Sequence, residues 1–142
     1  MVRHADRLDD SGNSPLSEVG FVRAGTLRDS LIGKRIDYLF ASTFLRTQQT
    51  ANPLAESLNK PVQIYNKDTT NKLIAALQRI NGKKVLIVGH SDNVPAIVLG
   101  LSGQSVPVIG HDEFDNLYVI RIRKFITASK RLWHKTYGIP SP

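Results

Sequence analysis

Apolar and polar positions along the 142-residue chain change period several times. From Ser17 to Ile32, Gly20, Ala24, Leu27 and Leu31 recur at helical spacing, with Ser17 placed to cap the start and Gly33 to end the helix in a left-handed turn. Ile36 to Ala41 reads as a short apolar strand. Thr43 to Leu58 is a second helix with Thr47, Thr50, Ala51, Leu54 and Leu58 on one side, and Pro53 inside it removes a backbone hydrogen bond and predicts a kink. Val62 to Tyr65 is a brief strand, and Asp68 to Ile80 is a helix carrying Leu73, Ala76, Leu77 and Ile80. Val85 to Val88 is wholly apolar, as in the middle of a parallel sheet. Pro95 sits near the start of a helix reaching about Leu101, and Leu117 to Ile122 with Lys130 to Tyr137 close the chain as paired strands.

Strands thus alternate with helices over short connections. This predicts one α/β domain over residues 1–142, a three-layer α/β/α arrangement around a mostly parallel sheet. There is no internal repeat, low-complexity tract or linker.

Composition narrows the function classes. The absence of cysteine excludes disulfides, thiolate metal sites and a cysteine nucleophile, and leaves the compartment open between the cytosol, as the default, and export. No apolar run approaches the ~20 residues of a membrane helix, so no membrane partner is expected, and Arg3 and His4 come too early for a signal-peptide pattern. The net charge of +7 suggests nucleic acid until it is located. Six basic residues and no acidic ones lie between Leu117 and Pro142, whereas the first 116 residues hold 13 basic and 12 acidic. Arg121 and Arg123 alternate with Tyr118, Ile120 and Ile122, which predicts a solvated edge hairpin and not a base-stacking platform, so no nucleic-acid partner is expected.

In open α/β sheets ligands bind beyond the carboxyl ends of the strands. Three predicted strand ends carry such chemistry: Arg3-His4, Ser42 with Arg46 one turn on, and Gly89-His90. Arginine forks and imidazoles converging without an acidic cluster suit an anion with several oxygens. A neutral histidine is also a competent nucleophile toward phosphorus. Taken singly, a histidine after a strand is more often a cap or a core hydrogen-bonder, and Arg46 alone reads as a surface helix residue. Together they suggest an anion site suited to phosphoryl transfer.

The blocks that contain these residues resemble the histidine phosphatase superfamily, also called phosphoglycerate mutase-like. Val2-Arg3-His4-Ala5 is similar to its RHG/RHA signature, Pro15 to Gly20 to its LSxxG helix start, and Ala41 to Ala51 to its SxxxRxxQTA block. Val85 to His90 resembles the strand leading to its second histidine, and Phe114 to Tyr118 its late strand in small bacterial members. By this resemblance His4 is the nucleophile and forms a phosphohistidine, while Arg3, Arg46 and His90 hold the phosphoryl oxygens. Two arginines supply the positive field, so no metal or cofactor is expected. The general acid is less defined. Asp68 is the only carboxylate between Asn59 and His90, and reads equally as a helix N-cap; Asp92 is a further candidate and can also cap a helix. Asp6 is expected to orient its loop or pair with an arginine, and Arg7, Asp9 and Asp10 to form a polar rim. Ser42 is expected to steady its strand end, Asn93 to contact substrate, His111 and His134 to be structural or exposed, and Trp133 to pack.

Only 43 residues separate Arg46 from His90, which leaves little room for the substrate-covering insertion of a mutase. The expectation is an open, metal-independent phosphatase acting on a phosphomonoester or phosphoramidate of a small molecule or phosphoprotein. The alternative is a catalytically weak phosphoryl-binding regulatory module; a mutase and a nucleic-acid binder follow behind. One departure from the family pattern bears on all of this. Just Met1 and Val2 precede Arg3, so the central first strand is expected to be short and the chain to begin within a longer protein.

Overall fold

The computed structural model describes residues 1–124 and 128–142. Six strands form one sheet: β1 (Val2–Arg3), β2 (Tyr38–Ser42), β3 (Val62–Tyr65), β4 (Val85–Gly89), β5 (Asn116–Arg123) and β6 (Ser129–Thr136). Their order is β3-β2-β4-β1-β5-β6, with the first four parallel and the β5–β6 hairpin antiparallel at one edge. The helices are α1 (Glu18–Leu31), α2 (Leu45–Leu58), α3 (Thr70–Arg79) and α4 (Val94–Ser102).

The alternation of side chains along each strand splits the core in two. Val2, Leu39, Ala41, Leu86, Val88 and Leu117 pack with Leu27 of α1 and Ala51, Leu54 and Ala55 of α2. Met1, Ile87 and Tyr118 face the other way, with Leu73 and Leu77 of α3 and Val94, Ile97 and Leu101 of α4. This is the three-layer α/β/α arrangement read from the sequence.

Several local expectations shift. Ser17 caps α1, accepting from the Gly20 amide at 3.1 Å, but Gly33 does not end it in a left-handed turn. The helix runs on through a 3-10 turn at Ile32–Lys34, which delays the reversal until Arg35, at φ 55°. Pro53 lies within α2, which continues as one element to Leu58. Asp68 is not the N-cap of α3: that position is Thr69, which makes no side-chain cap bond, and the preceding 3-10 turn at Lys67–Thr69 is capped by Asn66, which accepts from the Asp68 amide at 2.9 Å.

The first strand is short, and it lies centrally. Val2 and Arg3 pair with Val88 and Gly89, Val2 with Leu117, and the Tyr118 amide donates to the Met1 carbonyl at 2.9 Å. The hairpin has a packed face, with Ile120, Ile122 and Leu132 toward α3 and α4. Its other face carries Arg121 and Arg131 in register, and Trp133, expected in the packing, sits there at 37% exposure beneath the Arg121 guanidinium. Six cations thus belong to a solvated edge. Among the described residues no helix is long and apolar enough to cross a membrane.

Candidate functional site

The carboxyl ends of β1, β2 and β4 deliver Arg3-His4, Ser42 and His90 to one region, and the first turn of α2 adds Arg46. All five side chains are buried. The glycines of the sequence blocks permit the approach. A Cβ on Gly20 would stand 2.1 Å from the Asp6 carbonyl oxygen, so the start of α1 can close on the loop after His4 only with glycine there. A Cβ on Gly89 would stand 2.6 Å from Asn93 Oδ1, the atom that accepts from the His90 amide at 2.8 Å.

His4 Nδ1 lies 2.8 Å from the Ala5 carbonyl oxygen. A carbonyl can only accept, so Nδ1 carries the hydrogen and Nε2 keeps its lone pair. Nε2 has no hydrogen-bond partner among the described residues. Burial first, opposed by the Ala5 bond and helped by Arg3, His90 and Arg46, pushes His4 down from 6.5 to about 2. The imidazole is therefore neutral at ordinary pH. His90 stands edge-on to it, with ring centroids 5.3 Å apart, and burial followed by the Arg46 charge lowers His90 to about 4. His90 Nε2 lies 2.7 Å from Ser42 Oγ, which is 2.9 Å from Thr47 Oγ1.

The two arginines are held without carboxylate partners. Arg3 Nη1 donates to the Gly110 and Glu113 carbonyls at 2.6 and 3.0 Å, and Arg46 Nη1 to the Gly12 carbonyl at 2.9 Å. Each guanidinium stacks on a ring: Arg3 on Phe114 at 4.3 Å and Arg46 on Phe44 at 4.6 Å from the centroid. Phe114 in turn packs against His4 and Phe44 against His90. Arg3 Nε and Arg46 Nε are buried and unpartnered. Burial lowers both arginines, Arg3 to about 10, with the Arg7 charge as the next cause in each case, and Arg3 stays charged at neutral pH.

Other expected residues sit elsewhere or act differently. Asp68 is not brought to the site: its side chain is 75% exposed and its ionic partner is Lys67 at 3.5 Å. Asp92 is also exposed, pairs with Lys67 at 3.3 Å, and makes no cap of α4. Asn93 is buried and faces inward, accepting from the His90 amide and donating to Tyr65 Oη at 3.2 Å. Asp6 takes Arg23 in a forked pair at 2.6 and 3.3 Å, and Arg23 also donates to the Ile139 carbonyl. Arg7, at the rim, meets Asp10 and His111, both 2.5 Å away.

Residues that sequence reasoning passed over include Phe44, Phe114, Arg23 and Asn13. Asn13 Oδ1 accepts from the Leu45 amide at 2.9 Å and so caps α2 from 32 residues away. An aromatic two residues before Arg46 was the available signal for Phe44. Among the described residues no three or more His, Asp or Glu side chains gather as a metal site would.

The fold recurs in solved phosphatase structures. The protein histidine phosphatase SixA, complexed with tungstate, aligns with TM-score 0.68 and 22% identity over 95% of this chain and 94% of its own. The mycobacterial glucosyl-3-phosphoglycerate phosphatase with inorganic phosphate aligns with TM-score 0.72 and 16% identity over 92% of each. The phosphoserine phosphatase of Entamoeba histolytica, in complex with 3-phosphoglyceric acid, aligns with TM-score 0.58 and 13% identity over 73% of this chain and 79% of its own. The architecture is thus that of phosphoglycerate mutase-like α/β proteins. Residues 1–67 match the sequence model of the histidine phosphatase superfamily, branch 1. No curated protein sequence shows significant similarity to it.

Proposed function

We propose that the protein is a phosphatase that transfers a phosphoryl group to His4 Nε2 and then to water. One observation carries this reading. A neutral histidine with its Nδ1 hydrogen fixed on Ala5 feels the charges of Arg3 and Arg46, whose Nε–H groups are buried without a partner. Buried unpaired donors are costly, and a phosphoryl group supplies the acceptors they lack. The named activities of the structural relatives, on phosphohistidine protein, glucosyl-3-phosphoglycerate and phosphoserine, are consistent with a phosphorylated substrate.

The chemistry is two in-line displacements. His4 Nε2 attacks phosphorus as the bond to the leaving oxygen or nitrogen breaks. A water then attacks from the vacated side and the P–N bond breaks, releasing phosphate. Arg3 and Arg46 stabilise charge on the equatorial oxygens without reorganising, because carbonyls and aromatic rings already hold them. His90 borders the same space. A phosphomonoester or phosphoramidate fits these requirements, on a small molecule or a protein side chain.

The test is hydrolysis of p-nitrophenyl phosphate in excess chelator, with trapping of an acid-labile, base-stable phosphoenzyme. His4→Ala must abolish both; unchanged turnover in that variant refutes the reading. A second reading, a phosphoryl-binding module with weak catalysis, is favoured by the exposure of Asp68 and Asp92, since neither is poised as a buried acid. Tight vanadate binding with no turnover on any phosphorylated substrate would select it.

A further inference from the structure

The hydrogen bonds behind His90 determine which of its nitrogens carries the hydrogen, and this bears on the protonation state of the ligand. Thr47 Oγ1 lies 2.7 Å from the Phe44 carbonyl and 3.1 Å from the Ser42 carbonyl. Both can only accept, so the single Thr47 hydroxyl hydrogen is committed to a carbonyl. At 2.9 Å, the bond between Thr47 Oγ1 and Ser42 Oγ then runs from Ser42 to Thr47. Ser42 has no second hydrogen, and its oxygen also receives the Phe44 amide at 3.3 Å. The 2.7 Å contact with His90 must therefore be donated by His90 Nε2–H. The reverse assignment would leave Thr47 Oγ1 and a carbonyl oxygen 2.7 Å apart with no hydrogen between them. All three residues are buried, so water does not relieve the constraint.

A neutral His90 in this tautomer presents Nδ1 as an acceptor, and Nδ1 has no partner among the described residues. The charged and titratable groups around the ring are Arg46 from α2, Asp92 from the turn after β4, Lys67 from the turn before α3, Arg3 from β1, and His4 just after it. None of them hydrogen-bonds Nδ1 among the described residues. A fully ionised phosphoryl group would meet Nδ1 lone pair to lone pair.

We propose that Ser42 is a positioning residue that holds His90 as the Nε2–H tautomer, so that the site takes up a phosphoryl group together with one proton shared between a phosphoryl oxygen and His90 Nδ1. This rests on the reading of the site as a phosphoryl pocket and specifies the form of the ligand: the monoanion, or the dianion plus a proton from solvent. For an ester the first step then balances. The monoanion brings one proton, His4 Nε2 forms its bond to phosphorus, the P–O bond breaks, and the alcohol leaves with that proton. A carboxylic acid at the site is not required.

The test uses the whole chain with ¹⁵N-labelled histidine. NMR is expected to show His90 Nε2 protonated and Nδ1 bare; the opposite tautomer overturns the proposal. Calorimetric titration with inorganic phosphate and with phosphoserine is expected to show affinity falling about tenfold per pH unit above the ligand's second pKa, about 6 for a phosphomonoester. Near one proton should be taken up on binding in that range. Affinity independent of pH there overturns the proposal. Ser42→Ala frees the ring to invert and should flatten that slope, while Ser42→Thr should preserve it; an unchanged slope in Ser42→Ala removes Ser42 from the role. If Ser42→Ala does not fold, the two wild-type measurements decide. Phosphate that fails to bind at any pH overturns the phosphoryl-pocket reading itself, whatever the tautomer.

Discussion

The Arg46 guanidinium lies over the Phe44 ring, 4.6 Å from its centroid, where an acidic partner would otherwise be expected for a buried arginine. A ring orients the guanidinium plane and leaves its full charge for a ligand, which a carboxylate would neutralise. Cation–π contacts contribute about 0.5–2 kcal/mol. Phe44→Leu is accordingly expected to raise KM for p-nitrophenyl phosphate by between about 2-fold and 30-fold, with Phe44→Tyr close to wild type. Steady-state kinetics on the three proteins checks this.

Replacing either guanidinium by an ammonium should be far more costly. Lysine has no donor at the Nε position, which is the buried, unpartnered atom in both Arg3 and Arg46. Arg46→Lys is expected to lower kcat by about 10²–10³-fold, the usual loss for one preorganised donor. The same comparison applies to Arg3→Lys.

Stability should fall with acid before the carboxylates titrate. The folded protein holds His4 and His90 at about 2 and about 4, below the ordinary 6.5. Above pH 6.5 both states are neutral and the stabilisation is complete. Below it the unfolded chain binds protons that the folded chain refuses, so stability declines as pH falls. The slope approaches about 1.4 kcal/mol per pH unit for each histidine. Urea midpoints at pH 7.5, 6 and 5 should decrease in that order, and His4→Gln should make the decline shallower.

Arg23 and Asp6 tie α1 to the loop that follows His4. Arg23 is nearly fully buried, so Asp6→Asn leaves its charge without a counter-ion. The expected loss is on the order of 3 kcal/mol, read as a lower urea midpoint, with weaker phosphate binding because the His4 loop is less constrained.

Asp68→Asn is expected to change kcat by less than about twofold, as is usual for an exposed charge bonded to a neighbouring lysine. A large loss in p-nitrophenyl phosphate hydrolysis would return Asp68 to the role of acid.

The order of strands and helices was legible in the sequence because each element repeats its apolar positions at its own period. The strand at residues 62–65 matches to the residue, and the second helix ends at Leu58 as expected, though it begins at Leu45 and not at Thr43. The strand-end residues were legible because an α/β sheet places its carboxyl ends together, so Arg3, His4, Ser42 and His90 had to converge. What only the tertiary structure decided depends on groups far apart in the chain. Asn13 caps a helix 32 residues later, Phe114 lies under Arg3, and Arg23 finds Asp6. The local errors are short-range: 3-10 turns at Ile32–Lys34 and Lys67–Thr69 moved the expected caps at Gly33 and Asp68. The residues that carry charge and nucleophilicity were thus set by the sequence, since chemistry belongs to residue type. Their protonation states and hydrogen-bond directions came from the fold, since burial and the count of available hydrogens exist only once the chain has closed around them.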